Sequence, residues 1–248
     1  MADTDFGASA LLLCAHGRGG AAEDHHVPET LARALRRTGR FARVEACYLR
    51  GSPRLADVLA GVTEERIFLV PLLMAEGHTS QVLLPGALAE AGERGGQVTV
   101  TPPLGADPSL AALIVREALA RCREYGWEPG EATVVIAAHG TTRHAGSARS
   151  AEDAAGRVTA SGRFRRAVAA FLEQEPFVEA VLRDIRPAPC VVAGFFLDHG
   201  GHSADDIPRL IAAAHPDAAY GGALGADPGL ADIILEMVTR AAAKAGPP

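Results

Sequence analysis

A chain of 248 residues can form one large domain or two small ones, each with a sizeable core. Its net charge of −6 argues against a nucleic-acid surface, and no stretch approaches the roughly 20 apolar residues of a membrane span. Hydrophobic residues make up 48% but aromatics only 5%, a composition suited to tightly packed α/β layers.

The elements follow in chain order. The stretch 1–10 has no basic region leading into a long apolar run, so no signal peptide is expected. Leu11 to Ala15 is a continuous apolar run, typical of a strand buried on both faces of a parallel sheet, and it ends in His16-Gly17-Arg18. Glu29 to Arg37 carries Leu31, Ala34 and Leu35 at helical spacing. Val44 to Leu49 predicts a second strand, Ser52 to Arg66 a helix and Ile67 to Leu73 a third strand, followed by Gly77-His78. The turn-rich stretch Tyr125 to Gly130 predicts a boundary between an N-terminal half, 1–125, and a C-terminal half, 126–248. Val134 to Ala138 is again a strand-like run, ending in His139-Gly140. Thr141 to Gly162, rich in Gly, Ser, Thr and Arg, predicts a long loop, and Val191 to Leu197 a third strand.

The two halves repeat. Ala15-His16-Gly17 recurs as Ala138-His139-Gly140, at an offset of 123. Val44-Glu45-Ala46 recurs as Val178-Glu179-Ala180 at 134, Gly77-His78 as Gly201-His202 at 124, and Leu104 to Pro108 as Leu224 to Pro228 at 120. Read literally, the offsets put an 11-residue insertion into the loop 141–162 and delete most of the helix at 52–66 from the second half. The second strand of that half then begins near Val178, and only Arg183 to Pro189 joins it to the third, short for a parallel crossover. The fold class is α/β, two similar half-domains, each a small parallel sheet flanked by helices, with a cleft expected between them.

Ligands of open parallel sheets bind at the carboxyl ends of strands. His16, His139, His78 and His202 all fall there, and the glycine after each first-strand histidine lets the backbone turn sharply. The segment Asp198 to Pro208 adds His199, Asp198, Asp205 and Asp206, ligand types that suit a divalent metal. Asp205 or Asp206 would equally suit a helix N-terminus without any ligand. The cysteines Cys14, Cys47, Cys122 and Cys190 form no CxxC pair and point to buried thiols, with a reducing cytoplasm as the default compartment. A histidine phosphotransferase needs Arg before its strand-end His, where this chain has Ala15 and Ala138. Asp24-His25-His26 resembles a metallophosphoesterase motif but does not follow a strand, and no phosphate-binding loop or dinucleotide fingerprint is present.

Taken together, these motifs resemble the class II tetrapyrrole chelatases, of the sirohydrochlorin cobaltochelatase and ferrochelatase type (CbiX/SirB-like), in their duplicated long form. The resemblance rests on Leu12 to Arg18, Ala137 to Gly140 and Gly201 to Pro208, with Gly77 to Pro85 as an eroded copy and the two Leu-Gly-Ala-Asp-Pro segments as last strand and following helix. It implies insertion of Co²⁺ or Fe²⁺ into sirohydrochlorin or a related tetrapyrrole, in cobalamin or siroheme biosynthesis. The alternative is a degenerate, non-catalytic carrier of tetrapyrrole or metal. The implied metal-binding and catalytic residues are His16 with His78 and His139 with His202. Neutral imidazole both ligates such ions and accepts a pyrrole proton near neutral pH. No cofactor is expected to be tightly bound; the metal, Co²⁺, Fe²⁺ or Ni²⁺, is substrate. Arg18 and Arg143 are expected to hold the macrocycle's carboxylates, with Arg50, Arg149 and Arg183 as further candidates. A monomer or homodimer in the cytoplasm is expected, without nucleic-acid or membrane partners.

The family usually carries a glutamate at the end of its second strand, in a Phe-Leu-Glu-like run. With second strands at 44–49 and near 178, the corresponding residues are Tyr48-Leu49-Arg50 and Val181-Leu182-Arg183, so the acid is expected to be missing or shifted, or replaced by Asp184, Glu76 or another carboxylate. The complete Asp-Ile-Pro segment favours the second half as the working one, the family's usual placement favours the first, and the balance falls slightly to the first.

Overall fold

The structure is a computed structural model that describes residues 5–17, 26–142, 146–198, 200 and 202–245, without the side chains of His26, Ser147 and His202. It contains two four-stranded sheets, parallel throughout. In the first, β1 (Ser9–Ala15), β2 (Arg43–Tyr48), β3 (Arg66–Pro71) and β4 (Val98–Val100) lie in the order β2-β1-β3-β4. In the second, β5 (Thr133–Ala138), β6 (Arg166–Phe171), β7 (Cys190–Gly194) and β8 (Ala219–Ala223) repeat that order. The central strands β1 and β5 are buried at every position, which is why they read as unbroken apolar runs. All four cysteines are buried free thiols, and burial pushes the Cys190 thiol up to about 12.

The chain divides into two compact units: Met1–Asp107 with Pro228–Pro248, and Pro108–Asp227. These units do not coincide with the sequence halves 1–125 and 126–248. The helix that ends the first half, α5 (Leu110–Tyr125), packs on β7 and β8 of the second sheet. The helix that ends the second half, α9 (Leu230–Ala245), packs on β3, β4 and α1 (His26–Arg37) of the first. Both are amphipathic at helical spacing: α5 buries Leu110, Leu113, Ile114 and Ala118, and α9 buries Leu230, Ile233, Ile234, Met237 and Val238. In the first unit, Arg240 of α9 bonds to Asp107, which is nearly buried. In the second, Arg116 of α5 pairs with Asp227 at 2.5 Å. Each exchanged helix is thus pinned to an aspartate of the Leu-Gly-Ala-Asp-Pro segments.

Three sequence expectations are corrected. The stretch 141–162 is not a long loop: α6 (Gly146–Ala160) fills most of it and buries Ala148, Ala151, Ala154, Ala155 and Val158. A face built from alanine is thin enough to lie close to the sheet, and its polar complement of Gly, Ser, Thr and Arg made it look like a loop. Val178–Ile185 is not a strand but α7, with Val178, Leu182 and Ile185 buried at helical spacing. The second strand of the second unit is β6, which opens with Arg166 as β2 opens with Arg43, 123 residues apart (166 − 43). No helix has been deleted: α7 is the counterpart of α2 (Leu55–Ala60), and it supplies the β6-to-β7 crossover that seemed too short. The sequence also missed β4 and β8; the Leu-Gly-Ala segments themselves are 3-10 turns, not strands. Among the described residues, no helix is long and apolar enough to cross a membrane.

Candidate metal site in the second unit

His139 follows β5 directly at the carboxyl edge of the second sheet. Gly140 takes φ +71, and a Cβ there would lie 2.7 Å from Phe171 Cβ, so the tight turn that presents His139 requires glycine. The chain leaving β6 runs beside it: Glu173 N donates to His139 O at 3.0 Å, and Thr141 N donates to Gln174 Oε1 at 2.6 Å. These bonds bring Glu173 Oε2 to 3.6 Å from His139 Nδ1. His139 Nδ1 also lies 2.8 Å from Gly140 O; if it carries the proton and donates there, Nε2 keeps a lone pair for a metal or a proton.

Glu173 stands where the sequence reading expected the acid to be missing, shifted or replaced by another carboxylate. It sits in Phe171-Leu172-Glu173, immediately after the true second strand. The match of Val44-Glu45-Ala46 to Val178-Glu179-Ala180 hid it by shifting the alignment; carrying the offset of 123 on from His16 and His139 would have found it. The proposed substitute Asp184 faces Arg166 at the opposite, amino end of β6, at 3.7 Å. Arg183 pairs with Glu179 along α7, away from the edge. Glu45 is held by Arg36 at 2.8 Å.

His202 opens a π-helical turn, His202–Asp206, that runs straight into α8 (Ile207–Ala214) with Pro208 in its first turn. Buried Ser203 anchors this turn: its hydroxyl donates to Asp198 O at 3.0 Å, and its own carbonyl accepts the Tyr220 hydroxyl at 2.8 Å. Burial pushes the Tyr220 phenol up to about 12. Gly225 N donates to Phe196 O at 3.2 Å, and a Cβ on Gly225 would lie 1.4 Å from Leu197 O. The Leu-Gly-Ala segment therefore buttresses the loop that leads to His202, and only glycine allows the approach. Tyr220 carried no signal in the sequence.

The first unit keeps the frame and changes its residues. Gly17 has φ +73, and Arg50 N donates to His16 O at 2.8 Å, as Glu173 N does to His139 O. Arg50 therefore occupies the backbone position of Glu173. The turn after β3 (Thr79–Leu83, leading into α3, Leu84–Glu90) aligns at an offset of 123 as well: Gln81 N and Ala204 N donate to Gly77 O and Gly200 O, and Ser80 and Ser203 direct their hydroxyls to the same carbonyls. Thr79, not His78, stands where His202 does; His78 precedes the turn by one residue. Val100 of β4 occupies the place of Tyr220, by the register of each against its third strand.

Of the arginine candidates, Arg149 is exposed on α6, while Arg18 and Arg143 lie outside the described residues, as do Asp24, His25, His199 and Gly201. Among the described residues no three His, Cys, Asp or Glu side chains gather as a metal-holding group; the side chain of His202 is not among them.

The CbiX family model matches this chain twice, at residues 10–121 and 133–241. A probable sirohydrochlorin cobaltochelatase of Halobacterium salinarum is 26% identical over 277 residues, covering 96% of this chain and 93% of the relative. Among solved structures, CbiX, described as the terminal enzyme for biosynthesis of siroheme in denitrifying bacteria, superposes with a TM-score of 0.73 at 22% identity, over 94% of this chain and 99% of its own. SirB from Bacillus subtilis with Fe³⁺ gives 0.78 at 16% identity, over 96% of each chain. The twofold match spans most of the chain and falls on both sheets, and the chain belongs to the CbiX family.

Proposed function

We propose that this protein is a tetrapyrrole metal chelatase that inserts Co²⁺ or Fe²⁺ into sirohydrochlorin or a close relative, and that its second unit does the work through His139, Glu173 and His202. One observation carries the assignment to that unit: Glu173 lies 3.6 Å from His139 at the carboxyl edge of the sheet, while the same position in the first unit is Arg50. The reading of function draws on the family membership and on the activities named for the relatives.

Insertion replaces two pyrrole N–H protons by one M²⁺. His139 Nε2 and the His202 imidazole serve as ligands that strip water from the incoming ion. Glu173 balances the ion's charge and takes one of the two pyrrole protons, the other passing to water. The sequence leaned to the first half; Arg50 and the displaced His78 move the reading to the second. The carrier alternative rested on the missing strand-two acid, and Glu173 removes that ground.

The test is anaerobic mixing of purified protein with sirohydrochlorin and Co²⁺ or Fe²⁺, following the absorbance change on metallation against the uncatalysed rate. Acceleration with either ion is the expected result. Tight binding of the macrocycle without acceleration by either metal would instead identify a carrier.

A further inference from the structure

Beside Glu173, one further side chain reaches the turn that presents His139. The backbone bond from Glu173 N to His139 O is common to both units, since Arg50 N donates to His16 O in the same way. The next residue differs. Gln174, half-buried, turns its side chain back across Gly140, where an added Cβ would lie 2.7 Å from Gln174 Cγ. Its Oε1 accepts Thr141 N at 2.6 Å. At the offset of 123 the first unit has Gly51, which has no side chain to make such a bond. Gly17 packs against the chain itself instead: an added Cβ there would lie 1.7 Å from Arg50 O.

The N–H that Gln174 holds belongs to the same peptide unit as the carbonyl that meets His139. In a trans peptide the N–H and C=O point in opposite directions, so drawing Thr141 N toward Gln174 aims Gly140 O the other way, to 2.8 Å from His139 Nδ1. A carbonyl oxygen has no proton to give, so a contact this short is favourable only when Nδ1 carries one. Glu173 Oε2, at 3.6 Å, is too far to decide the matter by a hydrogen bond. We propose that Gln174 is a positioning residue for metal insertion: by holding the Gly140–Thr141 peptide it fixes His139 as the Nδ1–H tautomer and reserves the Nε2 lone pair for the ion. This rests on the chelatase reading given above. Accepting the peptide's N–H also makes its carbonyl a better acceptor, so the two bonds reinforce each other. Gln174 thus acts two hydrogen bonds away from the ion, as outer partners of ligating histidines do when they set the orientation and basicity of the ring.

The experiment is nitrogen-15 NMR of the metal-free full chain carrying labelled histidine, with the imidazoles neutral and His139→Ala identifying the resonances. Long-range couplings read which ring nitrogen holds the proton, and Co²⁺ affinity is measured on the same samples. The wild type should show His139 as Nδ1–H. Gln174→Leu keeps the bulk without the acceptor, and Gln174→Gly copies the first unit. Both should lose the tautomer preference and raise the Co²⁺ dissociation constant about tenfold. Gln174→Glu retains an acceptor oxygen and should keep Nδ1–H, a rescue that a merely space-filling role would not produce. Nε2–H in the wild type overturns the proposal, as does a tautomer or a Co²⁺ affinity that stays at its wild-type value in the Leu and Gly variants. Equal loss of the preference in Gln174→Glu overturns it too, because the bond to Thr141 would then not be what matters. Turnover of sirohydrochlorin is read separately. No acceleration by the wild type strikes the chelatase reading itself; a failure confined to the Gln174 variants strikes the proposal alone.

Discussion

The two carboxyl edges differ by a handful of side chains on nearly superimposable frames. Both units end a buried central strand in His-Gly, both fold the next loop back to hydrogen-bond that histidine's carbonyl, and both follow the third strand with a π-helical turn. In the second, Glu173 lies 3.6 Å from the strand-end imidazole and a histidine heads the turn; in the first, Arg50 and Thr79 stand at those positions. Backbone frames are fixed by buried apolar strands and by glycines that cannot be replaced. The exposed residues mounted on them are free to change, so a duplicated fold can keep its architecture while one copy loses, or exchanges, its chemistry.

The largest effect concerns how the units depend on each other's sequence. Ending the chain at residue 227 removes α9 and uncovers the sheet of the first unit. Burial of Ile233, Ile234, Met237 and Val238 contributes about 2 kcal/mol each, roughly 8 kcal/mol together, comparable to the whole stability of a domain. Hydrogen exchange should then show the first unit unprotected and the second still folded; equal protection of both would contradict the exchange of helices. Next, Glu173→Ala should lower kcat for metal insertion by about 10²–10³-fold, in the range of lost acid–base groups. Arg50→Ala, the matching change in the first unit, should leave kcat nearly unchanged. Similar kcat losses in both variants would erase the contrast between the units.

Gly225→Ala drives a methyl into the Leu197 carbonyl, and the loop must move to admit it. We expect a loss of about 3 kcal/mol, near the upper end of ordinary overpacking costs, or ~8 °C in Tm for a chain of this size. The smallest effect is the most specific. Tyr220→Phe removes one hydrogen bond to Ser203, worth about 1 kcal/mol, and should weaken metal binding roughly fivefold with little change in Tm; Val100→Ala, its counterpart in the first unit, should leave metal binding alone. The same phenol sets an alkaline limit. Its pKa is raised by burial to about 12 from an ordinary value near 10, so its stabilising contribution is complete below pH ~10 and fades as pH rises toward 12. The Phe variant should lack that fading in an alkaline melting series.

Much of this was legible in the sequence. Strands buried on both faces announce themselves as Leu11 to Ala15 and Val134 to Ala138, and the repeat of His-Gly pointed to the edge where the site lies. Edge strands were harder. In β6, Arg-Ala-Val-Ala-Ala-Phe is only partly buried and poor in β-branched residues, so nothing in its pattern competed with the chance match at Val178. That single misalignment produced the false insertion, the false deletion and the missing acid together. α6 escaped because its buried face is alanine, whose small side chain fits close packing but contributes little to a hydrophobic pattern. The pairing of Gly77-His78 with Gly201-His202 was close but one residue out, since the turn is defined by backbone hydrogen bonds accepted by the Gly77 and Gly200 carbonyls, which composition does not reveal. Tyr220 and Ser203 act through contacts between residues 17 apart, beyond the reach of any local motif.

The most direct test of the division between the units is the rate of Co²⁺ insertion into sirohydrochlorin, measured anaerobically for His16→Ala, His78→Ala, His139→Ala and His202→Ala beside the wild type. The account predicts that His139→Ala and His202→Ala fall to the uncatalysed rate, while His16→Ala and His78→Ala retain most of kcat. Loss of the reaction in His16→Ala and His78→Ala, with activity kept in the other two, would contradict it and return the working site to the first unit.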